Sequence, residues 1–161
     1  MSLVDYWLEI EGVEGESHDH SLGGLIQLES WGWGEENRGS FNINSGGGSG
    51  KVQMSDFKFT MVFNKASPKL FVMCATGEHI PRAKLICRKA GSGQQEFMHV
   101  SFTNLLVSFF ETTGDPSKVL PRNDVRFNFE TIQIDYMEQN IDGSVGATTT
   151  AGYDLKKNIK L

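Results

Sequence analysis

No apolar run in this 161-residue chain approaches the ~20 residues that cross a bilayer. The N-terminal Met1-Ser2-Leu3-Val4-Asp5-Tyr6 has no basic stretch leading into an apolar one, the mark of a cleavable secretory signal. The expectation is a chain made in the cytoplasm and not inserted into a membrane, with any export by another route. A basic excess is also missing. The formal net charge is −5, which argues against a nucleic-acid binder, since those carry a basic face. Cysteine is limited to Cys74 and Cys87, both in apolar runs. Two thiols make no disulfide framework, and a buried free pair is expected. There is no repeat at a solenoid period.

Glycine and phenylalanine are abundant, with 18 and 11 copies, and apolar residues recur in short alternating runs. Together these predict an all-β chain. At this length a single domain covering residues 1–161 is expected. The most informative stretch runs from Leu25 to Met61. Strand-like patterns flank Asn44-Ser45-Gly46-Gly47-Gly48-Ser49-Gly50-Lys51, a run with too few side chains to pack a core and costly in entropy to order.

Alternation places Tyr6, Leu8 and Ile10 on one face of a first strand and Glu9 and Glu11 on its wet face. Three later stretches change phase midway. Ile26 and Leu28 share one parity, whereas Trp31 and Trp33 share the other. Val52 and Met54 are out of phase with Phe57, Phe59 and Met61. Val125, Phe127 and Phe129 are out of phase with Ile132, Ile134 and Tyr136. Slips near Glu29-Ser30, Ser55-Asp56 and Glu130-Thr131 would reconcile each pair, through bulges or strongly bent strands. Such bends favour a barrel or coiled sandwich over a flat sheet.

One helix is predicted, with Ser67 as cap, Pro68 at its first position and Gly77 as left-handed stop. Leu70, Met73 and Cys74 share a face, and the apolar remainder predicts a well-buried helix that could plug a barrel end. Ala83–Arg88 and Phe97–Phe102 form a hairpin about the Ala90–Gln94 turn, and Leu105–Phe110 reads as a further strand. Thr112–Pro121 and Gln139–Gly152 read as loops, and Tyr153–Ile159 as the last strand.

Chemistry is hard to find. Gly50-Lys51 suggests a phosphate loop, but Ser45 holds the first glycine position, Val52 follows the lysine, and a strand follows, not a helix. His18-Asp19-His20 could offer metal ligands, but His79 and His99 are not spaced to complete a site, and a solvated loop is expected. No nucleophile elbow or carboxylate pair accompanies the serines and acids. No enzymatic activity and no cofactor are expected. Trp31 and Trp33 could stack on a sugar, which keeps a monomeric carbohydrate-binding barrel as the alternative reading. Their shared parity favours the core, with Gly32 then pointing outward over an uncrowded spot. Arg82, Lys84 and Arg88 share a face that reads as solvated.

Taken in order, these segments resemble the Hcp family, the haemolysin-coregulated proteins of type VI secretion. The likeness runs through Gly12-Val13-Glu14-Gly15-Glu16-Ser17, Trp31-Gly32-Trp33-Gly34 and the glycine-rich run into Gly50-Lys51-Val52. It continues through Asp56-Phe57-Lys58-Phe59-Thr60, Lys65-Ala66-Ser67-Pro68-Lys69-Leu70, Ala83-Lys84-Leu85 and Arg88-Lys89-Ala90-Gly91. It ends with Phe127-Asn128-Phe129, Asp135-Tyr136 and the C-terminal strand. Asn64 stands where an acid often precedes the helix start, and Asp124 where glutamate is common. The resemblance implies a bent β-barrel of two packed antiparallel sheets with one short flanking helix. It implies a homohexameric ring, stacked into the inner tube of a contractile injection machine. Its partners would be further copies of itself, a VgrG-type spike protein, a contractile sheath and effector proteins carried in the lumen, with no nucleic acid. The product is secreted without a cleavable signal. Residues Asn44, Ser45, Gly46, Gly47, Gly48, Ser49, Gly50 and Lys51 are then expected to latch one ring to the next, and Gly32 to face the lumen.

Overall fold

The computed structural model describes residues 2–39, 51–91 and 93–161. The elements are β1 (Val4–Ile10), β2 (Ile26–Leu28), β3 (Ser30–Gly32), β4 (Glu35–Asn37), β5 (Val52–Met54), β6 (Phe57–Val62), α1 (Ala66–Thr76), β7 (Ile80–Lys89), β8 (Glu96–Thr113), β9 (Arg122–Gln139), β10 (Val145–Asp154) and β11 (Ile159–Lys160). The chain is mainly β, with one short helix among the described residues, as expected. The two sheets that these residues form are very unequal. Nine strands share one antiparallel sheet in the order β11-β10-β9-β8-β7-β1-β2, with β6 on β9 and β3 on β6; β4 and β5 pair only with each other among the described residues.

The strand β9 organises the sheet. One edge pairs with β8 along nearly its whole length. The other edge is divided between β6, which takes Arg122–Phe127, and β10, which takes Thr131–Gln139. The sheet then curls round. Its opposite end is β2, hydrogen-bonded to β1, and the very next residues form β3, hydrogen-bonded to β6. The barrel is therefore not closed by a ladder. Its circuit is completed through the covalent corner at Glu29. There the backbone N–H donates to Thr60 O at 2.9 Å, and the carboxylate accepts from Arg122 Nε at 2.7 Å.

The three phase changes fall where expected, each by its own means. Near Glu29 the chain leaves one neighbour and joins another. At Ser55-Asp56 it leaves the small β4–β5 sheet for the large one. At Glu130-Thr131, β9 continues unbroken and bends together with β8. Phe129 faces Leu105 and Ile132 faces Phe102 in one unshifted register, all four buried. The bend in β8 falls at Asn104, whose φ is 49°, a left-handed conformation that asparagine tolerates better than most residues. Asn104 Nδ2 donates to Glu130 Oε2 at 2.9 Å, and the Thr103 and Thr131 hydroxyls meet across the pair.

The core inside this curl is aromatic. Phe57, Phe59, Phe102 and Phe127 are at most 1% exposed, and Phe57 has its ring centroid 4.8–6.3 Å from those of the other three. Each such side chain contributes roughly 1.5–3 kcal/mol by leaving water. Tilted and edge-on pairs of this kind add to that area term.

Several sequence expectations are corrected. Leu105–Phe110 is not a separate strand but part of the 18-residue β8. Most of Gln139–Gly152 is not loop, since Val145–Asp154 form β10. Neither face of its first half is buried, so no alternation marks it. Tyr153–Ile159 is not one strand either: Tyr153 and Asp154 end β10, a turn follows, and the last strand is Ile159–Lys160. In α1 the predicted cap shifts, because the helix begins at Ala66 and Pro68 is its third residue, not its first. Asn64 Oδ1 accepts from the Ala66 N–H at 2.8 Å, while Ser67 Oγ accepts from the Asn64 N–H at 3.0 Å, a reciprocal arrangement of the capping-box kind. Ser67 then donates to Asn123 Oδ1 at 2.6 Å in the buried interior. Gly77 stops the helix as expected, at φ 69°. The helix is less buried than predicted. Leu70 and Met73 face the core, but Phe71 and Val72 are 56% and 48% exposed.

Candidate functional surfaces

On the outer face of β1 and β7, Glu9, Glu11 and Arg82 are exposed, as expected. The part around Trp7, Ile86 and Arg88 is instead roofed by the segment between Val13 and Leu25, which folds back on itself through Gly15 N–H to Gly24 O at 2.8 Å and Ser17 N–H to Leu25 O at 3.1 Å. A side chain at Gly15 would meet Leu25 O at 2.4 Å, so glycine is required there. Leu22 from this strap packs on Trp7 and Ile86. Beneath it Arg88, expected on a solvated face, is 3% exposed. Its Nη1 and Nη2 donate to Asp19 at 3.1 and 2.7 Å, Asp5 lies 3.9 Å away, and the guanidinium sits 5.6 Å from the Trp7 ring centroid. The Arg88 guanidinium, with the Ser21 N–H and hydroxyl, holds the Asp19 carboxyl well below the usual carboxylate range.

Asp19, central to His18-Asp19-His20, is engaged by Arg88, and the described residues hold no group of three or more His, Cys, Asp or Glu side chains placed to share a metal ion. His79 Nδ1 lies 2.8 Å from Asn104 Oδ1, and His99 Nε2 lies 2.7 Å from Glu96 Oε2, so each is occupied in a different part of the sheet. Both cysteines are free thiols, and burial pushes the Cys87 thiol up to about 12, which leaves it protonated and a poor nucleophile at neutral pH.

Trp31 packs edge-on to Tyr6 at 5.9 Å and stacks on Phe57 at 6.1 Å. Trp33 is partly buried against the same core. Both indoles are half-buried against the core, on the side their parity predicts. Gly32 lies directly opposite Lys58 on the outer side of the β3–β6 pair. The spot beside it is not open: a Cβ on Gly32 would meet Lys58 Cε at 3.0 Å and Cγ at 3.7 Å. The missing side chain is room for the lysine stem.

The β4–β5 hairpin stands away from the large sheet and carries exposed Glu35, Glu36 and Asn37. Between it and the β9–β10 side lies a cleft of about 770 Å³, with Trp33, Met54, Ile132, Ile134 and Tyr153 among its walls and Lys51 at its rim. Lys51 is exposed. Asn44, Ser45, Gly46, Gly47, Gly48, Ser49 and Gly50, the rest of the expected latch, lie outside the described residues. No helix among the described residues is long and apolar enough to cross a membrane.

An all-β shell with a projecting hairpin arm and a single flanking helix is the class of protein these features define. A family model described as "Type VI secretion system effector, Hcp" matches residues 7–136. The chain is 35% identical to "Protein hcp1" of Pseudomonas aeruginosa, with 98% of each chain covered. It is also similar to the crystal structure of Hcp1 from Salmonella typhimurium, at 33% identity and a TM-score of 0.81, covering 99% of this chain and 100% of that one. A type VI secretion system effector structure from Yersinia pestis is similar at 29% identity and a TM-score of 0.77, covering 93% and 99%. The chain belongs to the Hcp family of type VI secretion proteins.

Sequence reasoning missed the Arg88–Asp19 clamp and the Lys58 stem over Gly32. The only available signal for the second was the phase of the two strands. The first had none, because its partners are 69 residues apart.

Proposed function

We propose that this chain acts as one structural, non-catalytic unit of a type VI inner tube. Six copies form a ring, rings stack, and effector proteins travel in the lumen. The tube works with a spike protein at its tip and a contractile sheath around it, and the subunit leaves the cell through the machine. The observation that carries this reading is the full-length likeness to "Protein hcp1", 35% identical with 98% of each chain covered.

Shape supports it. A compact chain of this length has a radius of gyration of about 15 Å and approximates a sphere about 40 Å across. Six equal touching spheres leave a central hole as wide as a seventh, so a ring would hold a passenger of roughly the subunit's size. A head-to-tail contact between rings builds an open filament. The β4–β5 arm is the element suited to make it, with Asn44 to Lys51, which lie between its two strands in the sequence, as the latch, and the Gly32 face is the surface we assign to the lumen.

Negative-stain electron microscopy of the purified protein tests the reading. Ring particles with a central hole are expected; a species that stays monomeric at high concentration rejects the assembly.

A further inference from the structure

The outward face of β6, β9 and β8 carries two adjacent rows of like charge, of opposite sign. Lys58 and Arg126 stand directly opposite one another across the β6–β9 ladder, both exposed. Like charges so placed destabilise a sheet. Among the described residues neither cation is in an ion pair. The acid two residues before Lys58 is tied elsewhere: Asp56 accepts from Ser108 Oγ at 2.6 Å and from Asn128 Nδ2 at 3.2 Å. The next row along the strands repeats the arrangement with the opposite sign, Asp124 facing Glu111. Rows two residues apart are separated by roughly 7 Å.

Packing holds both cations in place. The Lys58 stem lies in the space left by Gly32. The Arg126 guanidinium carbon sits 4.4 Å from the Phe109 ring centroid, a cation–π contact that supports the group while leaving its donors outward.

We propose that Lys58 and Arg126 form an anion-recognition pair for a protein partner, one that lays carboxylates across this row and basic side chains across Asp124 and Glu111. A nucleic acid fits less well. Its charges recur at every phosphate, so a strand placed over the cationic row would run onto the acidic one. A folded protein surface can alternate the two signs at the required spacing. The proposal names the chemistry recognised by the Gly32 face, and rests on the carrier reading only for the identity of the partner.

Fluorescence anisotropy on the full-length protein tests it. The probes are a labelled helical peptide of roughly 20 residues, about 30 Å long, with paired Glu and paired Lys on successive turns of one face, and a labelled oligothymidylate. Saturable peptide binding is expected, weakened by about fivefold in a Lys58→Ala/Arg126→Ala variant, as befits the loss of two exposed ion pairs. It should weaken again from about 50 to about 300 mM salt. Asp124→Asn should weaken this peptide but not one in which every Lys is Glu. No saturable binding, unchanged affinity in the double variant, or tighter binding of the oligothymidylate overturns the proposal. Loss of rings in the double variant also overturns it, by reassigning the pair to a subunit contact. If the wild type forms no rings, the carrier reading fails and the anisotropy alone decides this one.

Discussion

Arg88 gains its position from burial and keeps it through Asp19. A buried guanidinium needs a paired carboxylate and satisfied hydrogen bonds to offset lost hydration; the bidentate contact supplies the carboxylate and a partner for each terminal nitrogen, while Nε has none among the described residues. The pair also ties down the strap, since Asp19 Oδ1 accepts from the Ser21 and Leu22 N–H groups at 3.1 and 3.2 Å. Asp19 is depressed in the folded state, so its contribution is fully present above the unfolded carboxylate value of about 4. It is lost as pH falls below that toward the folded value. Asp19→Asn should therefore lower the urea midpoint at pH 7, and the gap to wild type should close progressively as the pH falls below 4. Equal midpoints at pH 7 would mean the pair contributes nothing to stability. Little of this is legible from residue types. The shared parity of Arg82, Lys84 and Arg88 is real, but Arg82 and Lys84 remain at the surface while the strap covers Arg88. Parity tells which face a side chain takes; it cannot tell what roofs that face.

Among the elements, the long β8–β9 pair shows how a phase change is built. Alternation in β9 reveals the inversion near Glu130 because both halves bury large apolar side chains. Its counterpart in β8 is masked by Thr103 and Asn104, which supply no apolar signal. The bend depends on Asn104 in the left-handed region, held by Glu130 and His79. Asn104→Ala should cost about 1–2 kcal/mol from the backbone alone, and Asn104→Gly should recover most of that while still losing the side-chain contacts. Chemical denaturation of the two variants measures the difference. Equal losses would place the cost in the side chain and not in the bend. The helix shows a similar division. Gly77 ends it as its type predicts, whereas Asn64 and not Ser67 provides the cap, because Ser67 is drawn inward to Asn123. β10 went unread for a simpler reason. Its Thr148, Thr149 and Thr150 are all exposed, and its place in the sheet comes from backbone pairing with β9.

For the whole molecule, the fold class was legible in the short alternating runs and their inversions, and the aromatic core in their phase. The arm was legible only as a gap in that pattern. If Gly46–Gly50 is the latch proposed above, shortening it should leave single rings intact in electron micrographs and abolish stacked particles. Stacks of unchanged length would remove the latch role. A loop without a core of its own should contribute little to subunit stability, so the variant should unfold with the wild-type midpoint.

The corner at Glu29 has a further consequence. Because the shell is completed by backbone and not by a ladder, it behaves as a hoop fastened by one clasp. A single proteolytic cut between Leu28 and Ser30 would leave two free ends, each held to the sheet by three paired residues. The large curl, continuous from β6 round to β1, could then spring open along that seam. The same clasp keeps the curl from unrolling strand by strand at its β2 and β6 edges, whereas β10 and β11 lie outside it. Load applied at β2 is passed through Glu29 to β3 and β6.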